Sequence, residues 1–299
     1  MRGAALALGG TLTLAACVPP AAPAPVPPPP HYVVGQPYRV GALWHYPREQ
    51  FDYEATGLAT ITTRRSGLTA DGEAVDPQAM AAAHPTLQLP AIARVTNLDT
   101  GDQVLVRIND RGPADPGRVI ALTPRAMALL HPADPRAVRV RVEVVAGDSL
   151  RLAAELGGAE APHLELARVP VGEVMKQALL PPAGAVAAAA SLPTAAVVAV
   201  PADMAAAAVP LRLPETVTQV APHPGSLYVE IAGFSHPEDA ALLQRRLAAL
   251  GAEVVLDYNA PGERAYRVRI GPLAGAAGAD AMLARVLATG VSDAHIVAP

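Results

Sequence analysis

Three segments alternate apolar and polar residues with a period of two: 92–97 (Ile-Ala-Arg-Val-Thr-Asn), 103–108 (Gln-Val-Leu-Val-Arg-Ile) and 138–144 (Val-Arg-Val-Arg-Val-Glu-Val). Such alternation sends every second side chain to the same face, so it predicts half-buried β-strands. Two stretches carry a helical period instead, 76–84 and 123–130. The second opens with Thr123 placed to cap and Pro124 in the first turn, where a missing N–H breaks no helical hydrogen bond. Residues 31–146 therefore predict a mainly β domain with short helices and an N-terminal extension. Beyond 225 the pattern changes to strand 227–232, helix 237–250, strand 252–257, strand 266–270, helix 276–287 and strand 294–297. Leu243, Leu247 and Leu250 share a face of the first helix, Gly251 stands where a helix end favours positive φ, and Asn259-Ala260-Pro261-Gly262 supplies a turn. A β-α-β-β-α-β order predicts a small ferredoxin-like α+β sandwich over 225–299.

Elsewhere the periodicity lapses. Residues 19–30 are almost wholly Pro, Ala and Val, the composition of an extended polyproline spacer. Residues 147–224 dissolve into Ala, Pro and Val with a short helical stretch at 149–156, and predict a disordered linker. The uncharged run 183–200 is mostly alanine and is broken by Pro193, which argues against a membrane helix. Composition agrees, with Pro 32 and only 3% aromatics, so the 51% hydrophobic share rests on alanine and not on large core side chains. As a coil of roughly 75 residues the linker spans about 50 Å, enough for its flanking domains to engage separate points on one scaffold. Lys+Arg 23 against Asp+Glu 27 leaves a net charge of -4, no field to hold a polyphosphate, which argues against nucleic acid.

At the N-terminus Arg2, an apolar run over 4–15 and the small residues after it predict a secretion signal at 1–16, too short for a membrane span of about 20 residues. Leu14-Ala15-Ala16-Cys17 resembles a bacterial lipobox, which implies acylation at Cys17 and a tether over 17–30. Cys17 is the single cysteine, so neither a disulfide nor a thiolate metal site competes for it. Val18 stands where an inner-membrane retention signal places Asp, which by resemblance implies the outer membrane.

The chemistry concentrates in four blocks: Thr69-Ala70-Asp71-Gly72-Glu73-Ala74-Val75-Asp76, Ala82-Ala83-His84-Pro85-Thr86-Leu87, Arg94-Val95-Thr96-Asn97-Leu98 and Arg107-Ile108-Asn109-Asp110-Arg111-Gly112-Pro113. In this order and spacing they resemble the double-psi β-barrel of the rare lipoprotein A family of septal-ring lytic transglycosylases, over about 53–143. The resemblance implies a groove for β-1,4-linked sugars, with Asp110, Glu73 and His84 catalytic and Asp76, Asn109 and Arg111 on the substrate. It implies no cofactor and no metal. A glycosidic leaving oxygen must be protonated as the C1–O bond breaks, so a carboxyl group with an ordinary pKa of about 3.9 has to keep its proton near neutrality. Burial and a second carboxylate nearby do that. In a lytic transglycosylase no water attacks; the muramic 6-hydroxyl closes onto C1 and leaves a 1,6-anhydro end. Taken singly, 109–113 is also a good turn, His84 a packing residue, Glu73 a solvated carboxylate and Asp76 a helix cap. One departure stands out: where the family continues Arg-Ile-Ile-Asp-Leu-Ser, this chain has Arg118-Val119-Ile120-Ala121-Leu122-Thr123, a methyl group in place of a carboxylate.

Residues 228–235 (Tyr-Val-Glu-Ile-Ala-Gly-Phe-Ser) and 266–272 (Tyr-Arg-Val-Arg-Ile-Gly-Pro) resemble a SPOR domain. That implies binding to glycan strands stripped of stem peptides at division septa, with Glu230, Phe234 and Arg267 as contacts. Glu230 replaces the usual Gln, an acceptor in place of an amide. A generic protein-binding ferredoxin-like module is the alternative. The expected protein is an outer-membrane lipoprotein on the periplasmic side, enriched at the septum among divisome partners, cleaving denuded glycan. The competing expectation is a lipoprotein that binds septal peptidoglycan and links it to the outer membrane without turnover. Residues 31–48, which hold the single tryptophan, Trp44, have no assigned role.

Overall fold

The computed structural model describes residues 29–41, 43–157, 212–256 and 266–299. Cys17, most of the tether, the linker interior and the 259–262 turn lie outside them.

A small hairpin of β1 (Tyr38–Val40) and β2 (Leu43–His45) precedes the first domain. There β3 (Glu54–Ile61), β4 (Ala81–Ala83), β5 (Ala91–Asn97), β6 (Asp102–Asp110), β7 (Arg118–Leu122) and β8 (Val138–Val144) close a six-stranded barrel. The ring runs β4-β7-β3-β8-β5-β6 and shuts through a β4–β6 pairing, with β3–β7 and β4–β6 parallel, in the double-psi arrangement. The alternation at 138–144 reads directly onto β8: Val138, Val140, Val142 and Val144 are buried while Arg139, Arg141 and Glu143 face outward. Each buried valine contributes about 1.5 kcal/mol or more. The outward pair Arg94–Glu143, 3.2 Å apart on an exposed face, adds under about 1 kcal/mol. The strand therefore takes its register from the valines.

Thr123 caps α1 (Pro124–Leu129), its hydroxyl accepting from the Ala126 amide at 3.3 Å. The helix expected over 76–84 does not form. Asp76 instead closes a turn, its carboxylate accepting from the Gln78 amide at 2.9 Å, and the alanines beyond it become β4. Alanine's helix preference is worth only tenths of a kcal/mol per residue, and here it loses to strand pairing on both sides, with β6 and β7. The stretch expected as linker is ordered at both ends. Its start forms α2 (Ala146–Glu155), whose Ser149 hydroxyl bonds both the amide and the carbonyl of Ile92. Its end returns to the barrel as β9 (Val217–Gln219), which pairs with the first half of β6 and buries Leu213 and Val217 against the barrel core.

The second domain has the expected order: β10 (Leu227–Phe234), α3 (Pro237–Arg246), a 3-10 turn (Ala248–Leu250), β11 (Ala252–Leu256), β12 (Tyr266–Leu273), α4 (Gly275–Ala288) and β13 (Ala294–Val297). Gly251 adopts φ +78 at the helix end, the left-handed conformation for which glycine is suited. The antiparallel sheet runs β11-β12-β10-β13 with both helices on one face, where Leu227, Val229 and Ile231 meet Leu283 and Val286. The other face carries Tyr228, Glu230, Arg267 and Arg269.

The two domains touch. Edge strand β13 lies against β3 and β7, Leu58 joins the second domain's core, and Arg118 makes a bidentate pair with Asp280 at 2.6 and 2.8 Å. At Gly57 a Cβ would stand 2.9 Å from the Ile296 carbonyl oxygen, so glycine is what lets the backbones approach.

Candidate functional site

The loop 69–76, strand β4 and the end of β6 enclose a groove of about 370 Å³. Asp110 lies at its side, with a side chain 14% exposed. Three donors converge on its carboxylate: the backbone amides of Ala70 (3.0 Å) and Arg111 (2.9 Å) and the Arg64 guanidinium (2.6 Å). The two amides fix its position, whereas Arg64 is half exposed and reaches in from the groove mouth. Asp110 is thus a strand-end residue in a concavity, not the tip of a solvated turn.

Glu73 forms the floor. Its Oε1 accepts from Nε of Arg107 at 2.6 Å and its Oε2 from the Asn109 amide at 2.7 Å. Arg107 and Asn109 stand two apart on β6, so one face of that strand holds the carboxylate from both sides. The Arg107 Nη2 is also 2.6 Å from Oε1, but neither Nη makes a hydrogen bond, which leaves buried donors beside the groove. Asp76 lines the groove and pairs through Oδ2 with Arg212, which with Pro30 and Leu213 forms part of the rim.

Beneath the loop Asp71 is fully buried. Its Oδ1 accepts from the Thr69 hydroxyl (2.6 Å) and the Glu73 amide (3.2 Å), while Oδ2 has no hydrogen-bond partner. Burial, then the neighbouring Glu73 charge, push its pKa up to about 6 against the hydrogen bonds and Arg107 that lower it.

Two expected site residues serve other purposes. His84 does not line this groove. Its Nδ1 accepts from the amides of Thr86 (3.2 Å) and Leu87 (3.1 Å), so Nε2 carries the proton and donates to the Tyr53 hydroxyl at 3.1 Å. Burial, with help from the Arg111 and His45 charges, pushes its pKa down to about 3, so it stays a neutral organiser of the loop after β4. Its tie to the site is through the backbone, since its amide donates to the Asp110 carbonyl at 3.0 Å. Arg111, expected on the substrate, is committed to the backbone carbonyls of His84, Leu87 and Val34, where it clamps the N-terminal segment to the barrel. The motif could not separate these roles, because a positioning residue and a substrate contact leave the same spacing.

Ala121 is buried and registers with Ala83, whose partner on its other side is Asp110. A carboxylate at 121 would therefore stand two strand spacings from Asp110, about 10 Å. In the second domain Glu230 is 3% exposed and neutralised by Arg267 (2.6 Å) and Arg269 (2.6 Å), while Phe234 packs on the hydrophobic core, displaced by the bulge after Ile231.

Arg64, Arg107 and Asp71 also stand at the site, though the motif spacing did not single them out. Arg107 carried a usable signal, a cation inside an otherwise apolar strand two residues from Asn109. Arg64 carried none. Among the described residues no group of three or more His, Cys, Asp or Glu side chains is placed to hold a metal.

Family models described as lytic transglycolase and SPOR domain match residues 54–144 and 224–297. The chain is 34% identical over 249 residues to the endolytic peptidoglycan transglycosylase RlpA of Pseudomonas aeruginosa strain PAO1, covering 82% of this chain and 71% of that protein. It is 41% identical over 118 residues to the Yersinia pestis protein of that name and 42% over 112 residues to that of Escherichia coli K12. Those two matches cover 38% and 37% of this chain, and the chain spans about a third of each relative's length (33% and 31%).

Proposed function

Because the chain belongs to the RlpA family, we propose that its barrel cleaves peptidoglycan glycan strands by transglycosylation, with Asp110 moving the proton. The observation that carries this reading is the seat of Asp110, a carboxylate fixed by two backbone amides at the side of a groove floored by Glu73. Protonated, it gives its proton to the leaving glycosidic oxygen as the C1–O bond breaks. As a carboxylate it then takes the proton of the muramic 6-hydroxyl while that oxygen closes on C1. The proton count is restored without water, and the product carries a 1,6-anhydro end. Arg64 has to swing off Asp110 as the sugar enters; it is half exposed and is otherwise held by the Leu68 carbonyl. Arg107, ion-paired with the Glu73 carboxylate, and Asn109 keep Glu73 in place.

The SPOR domain fits a role in holding strands that have lost their stem peptides, which would concentrate the protein at division septa among divisome proteins. Acylation at Cys17 would keep it on the periplasmic face of the outer membrane. A second reading, glycan binding without turnover, is favoured by Ala121, which stands where the family's pattern has an Asp. Incubating the lipid-free chain with denuded glycan and searching for 1,6-anhydro-muramic ends by mass spectrometry decides between them. Product supports cleavage. Retained binding with no product would sink it in favour of the second reading.

A further inference from the structure

A larger concavity, about 1160 Å³, lies between the two domains, lined on the barrel side by residues 84–86 and 113–119 and on the other by Glu230, Arg267, Arg269 and residues 292–297. One wall is the N-terminal hairpin. Trp44 and Tyr46 are 51% and 62% exposed there, with rings 6.4 Å apart and inclined by only 27°, so they form a shallow aromatic shelf. The hairpin is held firmly. Tyr38 stacks on His45 at 5.1 Å and donates its hydroxyl to the Pro85 carbonyl at 2.9 Å, and the Arg48 amide bonds the Thr86 carbonyl at 2.9 Å. Exposure of the two rings is therefore imposed by a fixed support and is not the by-product of a loose end. The opposite wall is the polar face of the SPOR sheet, where Arg267 and Arg269 flank Glu230 and Arg269 lies 5.2 Å over the Tyr228 ring.

We propose that this cleft is a further glycan-binding subsite, in which a sugar chain stacks on Trp44 and Tyr46 while its hydroxyl and acetamide groups face the SPOR arginines. The chemistry of the walls selects the occupant. Pyranose rings present C–H faces that an exposed aromatic shelf covers, and planar guanidinium groups suit the hydroxyl edges. The lining holds four arginines against five carboxylates, so no strong field draws in an anionic polymer. The two concavities meet along the chain: His84, which lines the cleft, follows Ala83 of the groove, and Pro113, which also lines the cleft, comes three residues after Asp110 of the groove. One strand thus passes from the SPOR sheet, over the hairpin, to Asp110, and neither domain makes the subsite alone. This replaces separate engagement of two points by joint engagement of one strand, and it rests on the glycan-cleaving reading above.

Trp44 is the single tryptophan of the chain, so its fluorescence reports on this cleft and nowhere else. In the lipid-free full chain carrying Asp110→Asn, titration with soluble denuded glycan should shift and enhance that emission. Trp44→Ala and Tyr46→Ala should each weaken glycan retention by about tenfold while unfolding at the wild-type temperature, as expected for exposed aromatic anchors. Unchanged emission together with undiminished retention in Trp44→Ala would overturn the subsite and leave the cleavage reading intact. No retention of glycan by wild type would remove that reading itself. Emission that responds to free stem peptide instead of denuded glycan would overturn the subsite as assigned, because its occupant would then be peptide.

Discussion

Asn109 and Glu73 are joined side chain to side chain, Nδ2 to Oε2 at 2.7 Å, and this bond ties the strand that carries Asp110 to the loop that floors the groove. With Arg107 on the same face of β6, it makes Glu73 a structural anchor as much as a chemical group. Asn109→Ala should cost about 1.5–3 kcal/mol of unfolding free energy, the worth of a hydrogen bond to a charged partner. Arg107→Met should cost about 3–5 kcal/mol, because it strands a carboxylate that is 10% exposed. Denaturant titration of both variants checks the order. Equal losses would mean that the Arg107 pair is not what holds the floor.

Asp71 and His84 act on stability with opposite sign in acid. The Asp71 pKa is raised from 3.8 to about 6, so the folded chain keeps a proton that the unfolded chain gives up. Its contribution is full below 3.8 and is lost as pH rises through 6. The His84 pKa is lowered from 6.5 to about 3, so the unfolded chain takes up a proton that the folded chain refuses. Its contribution is full above 6.5 and is lost as pH falls toward 3. Asp71→Asn removes the first effect and exposes the second. Between pH 6 and 4 this variant should lose stability by about 1 kcal/mol per pH unit more than wild type does. Parallel curves for the two proteins in urea at several pH values would contradict this.

A missing side chain and a bidentate ion pair contribute to the contact between the domains, beside the burial of Leu58 in the second domain's core. Gly57→Val places methyl groups where the Ile296 carbonyl sits, and Arg118→Ala removes the bidentate hold on Asp280. The double variant should keep both domains folded but separate them. Hydrogen exchange at the β13 amides should then accelerate by about tenfold or more, as expected when an edge strand loses its cover. Unchanged protection would show that the domains hold together by other means.

Much of this was legible in the chain itself. The valines of β8 and the Thr123-Pro124 start of α1 carry their own local signals, a period of two and a capping hydroxyl, and both appear as read. The alanines of β4 do not, since their strand pairing comes from β6 and β7, more than twenty residues away in sequence. Asp110 and Glu73 were visible through motif spacing, but the turn of His84 away from the groove was not. That depends on the Thr86 and Leu87 amides and on Tyr53, whose placement only the closed barrel fixes. Arg64 and the Trp44 shelf were hidden for the same reason, as their meaning lies in partners brought near by folding.

Asp110→Asn is nearly isosteric, keeps an oxygen for the Ala70 and Arg111 amides, and removes the group that can give and take the proton. Its rate of forming 1,6-anhydro-muramic ends from denuded glycan, measured beside its retention on the same glycan, tests the central claim most directly. The account predicts a fall of at least about a hundredfold in rate with retention unchanged. A variant that still turns over at the wild-type rate would place the chemistry elsewhere.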